Sequence, residues 1–503
     1  MQTDATPTTT DRPVGLRRDR ERGPVLLALM VTTGLIAIEA TILATAVPTI
    51  VADLGGFASF PWLFSVYLLT TAVTVPIYSK VADTVGRKPV ILVGIALFLL
   101  GSLLGGFATS MAALIAFRAV QGLGAGAVQP MAITIAGDIY SVAERSKVQG
   151  YIAAVWASAS VIGPTLGGVF AEYLDWSWIF WVNLPIGGAA AWLLVTRFHE
   201  RVERRAHRID WPGGLLLTSG SAALLLALIE GGNAWAWDSA PSIGAFVAAA
   251  LLLGGFVAVE TRAPEPVLPL WVLSRRLLGT TALIAVGVGV LLMGVTTYVP
   301  TFLEAELGVS PLASGLALAA LTLGWPISAS QAGRVYLRIG FRRTTLIGAV
   351  VAVVGAATLA ATSTTPSLVL VAVSCFVIGL GLGFVAAPSL IAAQASVGWG
   401  DRGVVTGANM FARSMGSAVG VAALGALVNA IMRGADPFVA PDRFNDAATA
   451  VFVAAAVVAL LTAVAALAMP ADRAARTSSG PTDAVQTPDS TLPGPRRAGE
   501  VIP

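Results

Sequence analysis

Residues 34–50 read "GLIAIEATILATAVPTI", and this apolar run holds one ionisable group, Glu39. A helix begun at Pro24 reaches Glu39 after about 22 Å, at a rise of about 1.5 Å per residue, which is near the middle of a bilayer. An ionised carboxylate at that depth is expensive. By default it marks a functional site and needs a named partner.

The rest of the chain fits such a setting. Of 503 residues, 56% are hydrophobic and 12% charged, and the mean hydropathy is +0.80. Soluble globular chains carry roughly 25% charged residues, so most of this surface must face something other than water. The lone cysteine, Cys375, lies in an apolar run and excludes an intrachain disulfide framework. The two histidines, His199 and His207, share one basic loop, and a structural zinc site is not expected. The G-x-x-x-x-G-K-[ST] pattern of direct ATP coupling is absent, and no cofactor or nucleic-acid partner is expected.

A membrane helix needs about 20 mostly apolar residues. Fourteen such runs occur, at 24–50, 61–80, 89–108, 111–138, 148–171, 177–197, 212–230, 241–260, 278–303, 311–332, 344–362, 366–394, 402–431 and 446–469. The first is too long for a cleaved signal peptide and is expected to be retained. Lysine and arginine orient the set. With the N-terminus cytoplasmic, 27 of the 31 fall in cytoplasmic segments, and only Arg433 and Arg443 fall outside. Both termini are therefore expected in the cytoplasm. The tail 470–503, rich in Pro, Ser, Thr and Arg, is expected to be disordered.

Arg118 and Arg413 remain, each inside a span. Arginine cannot realistically lose its charge, and the natural counter-charge of Arg118 is Glu39. Removal from water favours a protonated carboxyl, whereas a nearby cation favours the ionised form. A movement separating the pair would thus change proton affinity, and Gln121 can share the network. The alternative is a static pair that merely orders two helices. Arg413, in "NMFARSMGSAVG", has no evident acid partner and no assigned role.

Four elements carry a family resemblance. The segment "YSKVADTVGRKPVIL" is similar to the G-x-L-A-D-R-x-G-R-K loop of the major facilitator superfamily through Ala82, Asp83, Gly86, Arg87 and Lys88, with Ser79, Val81 and Thr84 departing from it. "FRAVQGLGAGAVQP" resembles R-x-x-Q-G-x-G through Arg118, Gln121, Gly122 and Gly124. "VIGPTLGG" resembles the G-P-x-x-G-G antiporter element through Gly163, Pro164, Gly167 and Gly168. "IEATILATAVPTI" resembles the D-x-T-x-x-x-x-A-L-P-x-I element of the fourteen-span drug:proton antiporter branch, with Glu39 replacing the aspartate. The loop is echoed as "AGRVYLRIGFRR", where Gly333, Gly340 and Arg342 hold and Leu337 replaces the acid.

The resemblance implies an all-α integral membrane protein with two six-helix bundles, each of inverted repeats, and two extra central helices. The corresponding segments are 1–23 (cytoplasmic), 24–197 (first bundle), 198–277 (inserted pair with basic loops), 278–469 (second bundle) and 470–503 (tail). It also implies that Asp83 helps close a cytoplasmic gate, with Glu144 and Arg145 as partners. Ordinary positive-inside topology is the alternative for Lys88. The Gly163–Gly168 element would bend a helix and mark antiport; otherwise it is simple small-residue packing.

Trp62, Tyr67, Trp156, Tyr298, Phe302 and Trp325 are candidates to line a substrate cavity, with an interface anchor as the equal alternative for Trp62, and Trp176, Trp178 and Trp181 read as interface anchors. Glu304 is a second protonation candidate or a solvated helix end. The leading expectation is a monomeric, proton-driven exporter of hydrophobic, amphipathic or cationic compounds in the plasma membrane, working by alternating access. Its energy source would be the proton gradient. Export of a specific endogenous lipid, siderophore or metabolite is the alternative. A membrane-embedded enzyme gathers His, Asp, Glu or Cys at a membrane surface, which this sequence does not do. Nothing resembles a repeated channel filter.

Overall fold

The computed structural model describes residues 16–140, 142–200, 210–362, 365–398, 401–433 and 440–470. The expected disordered tail beyond residue 470 and the basic loop 201–209 lie outside the described residues. So do the side chains of Asp83, Glu144 and Arg145, leaving Gly86, Arg87 and Lys88 as the described part of the expected gate.

Regular structure among the described residues is helical: α1 (Leu16–Ile42), α2 (Val47–Leu54), α3 (Pro61–Val85), α4 (Arg87–Gly105), α5 (Met111–Ile139), α6 (Val142–Tyr173), α7 (Trp178–Trp181), α8 (Asn183–Arg197), α9 (Trp211–Glu230) and α10 (Ala240–Glu260). There follow α11 (Trp271–Ser274), α12 (Arg276–Leu307), α13 (Pro311–Ile339), α14 (Phe341–Ala361), α15 (Leu368–Ala395), α16 (Arg402–Met432) and α17 (Pro441–Ala468). Among the described residues, fourteen helical segments are long and apolar enough to cross a membrane.

Local chemistry sets the ends. Ser110 and Ser310 accept hydrogen bonds from the backbone N–H of Ala113 and Ala313, capping α5 and α13. Prolines at the first turns of α3, α9, α10 and α13 lack an N–H that would go unpaired there anyway. Gly86 and Gly340 make the turns α3–α4 and α13–α14 with φ of +106° and +92°, a conformation that side chains resist. The sequence echo is thus a repeated turn. The first span is not one continuous helix. Pro48 cannot donate a backbone hydrogen bond, and a 3₁₀ turn, Leu43–Ala46, separates α1 from α2.

In the first half α1 packs on α5, α6 and α8, and α5 on α3 and α4. In the second, α12 packs on α16 and α17, α13 on α15, and α14 on α15 and α17. The halves meet through α3 with α16 and α6 with α13, while α9 and α10 pack on each other and α9 docks on α3 and α16. The end bearing Arg87, Arg197, Arg276 and Arg342 is called the basic end below.

At the opposite end the halves are sealed. Asn429 donates to the Ala58 carbonyl at 2.9 Å, Phe60 meets Tyr298 edge-on at 5.5 Å, and Ser65 donates to the Ala418 carbonyl at 3.0 Å. Toward the basic end this packing loosens. Every residue of α16 from Asn409 to Met415 is half-buried, whereas Gly416, Ser417 and Ala418 are buried. Because α16 is surrounded by α3, α9, α12, α15 and α17, that exposure marks loose packing inside the bundle.

Candidate functional site

Glu39 lies on α1, 17 residues after the start and 15 before the end of the first span, Arg22–Leu54. It is fully inside the first bundle: Glu39, Arg118, Gln121, Asn183 and Ser102 are each at most 2% exposed. The helices converge there because small residues let them. A side chain at Gly101 of α4 would lie 2.5 Å from the Gln121 backbone nitrogen on α5, so only glycine allows that approach.

The polar groups then satisfy one another. Arg118 donates through Nη1 to both Glu39 Oε1 and Gln121 Oε1, and through Nε to the Leu63 carbonyl at 3.0 Å. Its guanidinium lies 4.1 Å from the centre of the Tyr67 ring, a cation–π contact. Asn183, at the start of α8, donates to Glu39 Oε2 at 2.8 Å. Ser102 Oγ accepts from Gln121 at 2.8 Å and from Asn183 at 3.3 Å. Four spans thus hold one carboxylate. Buried ion pairs of this kind persist when further hydrogen bonds satisfy their remaining atoms.

The glycine element of α6 links this core to the other half. Thr45, in the 3₁₀ turn beyond Glu39, donates to the Pro164 carbonyl at 3.4 Å. A side chain at Gly168 would meet the Leu312 Cα and the Pro311 carbonyl at 2.7 Å, both at the start of α13. Gly163 and Gly167 face α1 and the turn in the same way. Beside them Glu172 accepts from the Leu312 N–H at 3.1 Å, and Ser314 donates to Glu304 at 2.6 Å. Glu304 is therefore a bonded group at the seal.

The aromatic candidates separate. Tyr67 belongs to the Arg118 network. Tyr298 and Phe302 are at most 1% exposed and pack on Phe60 and Phe452, so they form the seal in this state. Trp62 donates its indole N–H to Glu230 at 2.8 Å and fastens α9 to α3. Trp156 and Trp325 are half-buried. Of the expected anchors, Trp178 is 45% exposed, but Trp176 is 4% exposed and donates to Asp53 at 3.0 Å. Trp176 is a buried tie because its indole N–H found an acceptor on α2.

At the basic end Glu200, just beyond α8, accepts from the backbone N–H groups of Arg87 and Lys88 at 2.6 and 3.0 Å. It thereby caps α4, where the helix dipole favours an anion. Lys88 Nζ donates to the Val195 and Phe198 carbonyls at 2.9 and 2.6 Å. Among the described residues no group of three or more His, Cys, Asp or Glu is arranged to hold a metal.

A profile of the Major Facilitator Superfamily matches residues 29–421, running from ten residues before Glu39 into α16. The chain belongs to the major facilitator superfamily. Multidrug transporter protein MdtP of Bacillus subtilis (strain 168) is 35% identical over 414 residues, covering 82% of this chain and 76% of that protein. Multidrug resistance protein 3 of the same organism is 33% identical over 401 residues, covering 80% and 78%. The crystal structure of a mutant of the nucleoside transporter NupG superposes with a TM-score of 0.63 at 14% identity, over 88% of this chain and 99% of that one, a likeness of fold. This superfamily member is a multi-pass membrane transporter of small molecules, and its family and relatives are transporters, not enzymes.

Sequence reasoning missed Asn183, Ser102 and Glu200. Asn183 had a signal, since "WVNLPIGG" places one amide near the start of an apolar span. Ser102 and Glu200 had none, because serine is common in spans and Glu200 stands in a charged loop.

Proposed function

We propose that this transporter is a proton-coupled exporter of hydrophobic and amphipathic compounds, working by alternating access across the plasma membrane with both termini in the cytoplasm. The observation that carries the reading is Glu39: a mid-span carboxyl, shut away from water, held by Arg118 on one oxygen and Asn183 on the other. A carboxyl so placed exchanges a proton only when the helices around it part. Rocking of the halves supplies that parting, because the turn after Glu39 bears on α6 and α6 bears on α13 across the seam. The proton gradient is the energy source, and no cofactor is required. The multidrug transporters among its relatives support export of varied compounds.

In alternation, the seal at Phe60, Tyr298, Ser65 and Ala418 opens as the basic end closes. Asp83, Gly86, Arg87, Lys88, Glu144 and Arg145 act at that closure, and Glu200 keeps the start of α4 in place. The segments 24–197 and 278–469 move as the two bundles, with 198–277 riding between them in a monomer.

The test is transport by purified protein in liposomes under an imposed pH gradient, screened with dyes and drugs. Accumulation against a concentration gradient that collapses when the pH gradient is dissipated supports the proposal. Equal rates with and without the gradient contradict it.

A further inference from the structure

The two halves treat their intramembrane cations differently. Arg118 is enclosed by Glu39, Gln121, Leu63 and Tyr67. Arg413 of α16 makes no hydrogen bond, ion pair or ring contact with a described residue. It lies nine residues, about 14 Å, into the span Val404–Met432. An arginine keeps its charge at that depth, and a charge there with no partner among the described residues is costly and points to an ion pathway or a ligand.

The surroundings say where its partner comes from. Arg413 belongs to the half-buried stretch Asn409–Met415, the loosely packed part of α16. On one side α16 lies hard against α12: a side chain at Gly416 would fall 2.7 Å from the Val286 Cα, and one at Gly289 would fall 2.8 Å from the Ser417 nitrogen. The neighbouring polar groups are engaged within the half. Asn409 donates to the Thr281 carbonyl at 3.1 Å and Ser417 to the Gly289 carbonyl at 3.2 Å. Several described acids on the spans are engaged elsewhere: Glu39 with Arg118, Glu172 and Glu304 at the far seal, Glu230 with Trp62, Asp53 with Trp176 and Glu260 with the Leu268 N–H.

We infer that Arg413 is the subsite for an acidic group on the transported compound, so that the substrates of this carrier include amphipathic anions bearing a carboxylate, sulfonate or phosphate. This rests on the exporter reading and narrows it. The guanidinium presents a fork that matches such oxyanions. It repels a permanent cation placed at the same spot, which turns the cationic substrates expected from sequence away from this subsite.

Two dyes of one ring system separate charge from shape: fluorescein, an anion, and rhodamine 6G, a cation. Gradient-driven transport of each is measured in liposomes for wild type, Arg413→Gln and Arg413→Lys. Wild type is expected to carry fluorescein. Arg413→Gln is expected to raise its KM about tenfold or more, the scale of one lost charged hydrogen bond, and to leave rhodamine 6G within about twofold. Arg413→Lys keeps the charge and is expected to restore most fluorescein transport. An unchanged fluorescein KM in Arg413→Gln overturns the subsite, as does an equal loss for both dyes. Transport of rhodamine 6G without fluorescein by wild type also overturns it and leaves the exporter reading standing. Gradient-driven movement of neither dye contradicts both.

Discussion

Asn183 donates to the oxygen of Glu39 that Arg118 does not hold, at 2.8 Å. The carboxylate is therefore met from α5 on one side and α8 on the other, and its environment depends on how α1, α5 and α8 sit together. Asn183→Ala removes one donor and leaves a buried carboxylate oxygen unsatisfied. The expected cost is about 1–3 kcal/mol, read as a lower melting temperature of the purified protein in detergent.

Breaking the ion pair costs more than losing it whole. Arg118→Gln leaves Glu39 without its cation and is expected to destabilise by about 3–5 kcal/mol. The double variant Glu39→Gln/Arg118→Gln removes both charges and is expected to be more stable than Arg118→Gln alone. Strictly additive melting shifts across the four proteins would show that the two side chains are energetically independent.

The seam between α6 and α13 has no room for a larger residue at position 168. Gly168→Val drives a side chain against Leu312, with an overpacking cost of about 1–3 kcal/mol. The seal is expected to loosen, so that a cysteine placed at Ser314, in a Cys375→Ser background, labels faster with a thiol reagent. Labelling unchanged from the Gly168 protein would mean that α6 does not hold the seal.

Glu200 caps α4 through two backbone N–H groups. Glu200→Ala is expected to cost about 0.5–2 kcal/mol, the usual range for a lost helix cap. Under the proposed alternation it should also slow transport, since the α3–α4 turn would then move with the closure at the basic end. Wild-type melting and wild-type rates together would remove Glu200 from that role.

Much of the fold was legible in the sequence because membrane spans are written in composition. About 20 apolar residues per crossing and the bias of arginine to one side are strong, local signals. Glu39 and Arg118 stood out for the same reason, as charges where charge is expensive. Asn183 and Ser102 did not, because uncharged polar residues are tolerated in a span and reveal themselves only when helices are placed side by side. The aromatic residues show the opposite limit. Tyr67, Tyr298 and Trp176 all read in sequence as aromatic rings with one polar group, but one faces a guanidinium, one fills a seal and one reaches Asp53. Their roles were fixed by neighbours from distant spans.

Coupling through Glu39 is tested most directly by comparing wild type and Glu39→Gln in liposomes, measuring uphill export under a pH gradient and substrate counterflow without one. Gln keeps the size of the side chain and can still accept from Asn183, but it cannot carry a proton. Uphill export is expected to vanish in Glu39→Gln while counterflow persists. Uphill export at the wild-type rate in Glu39→Gln would contradict Glu39 as the site of proton exchange.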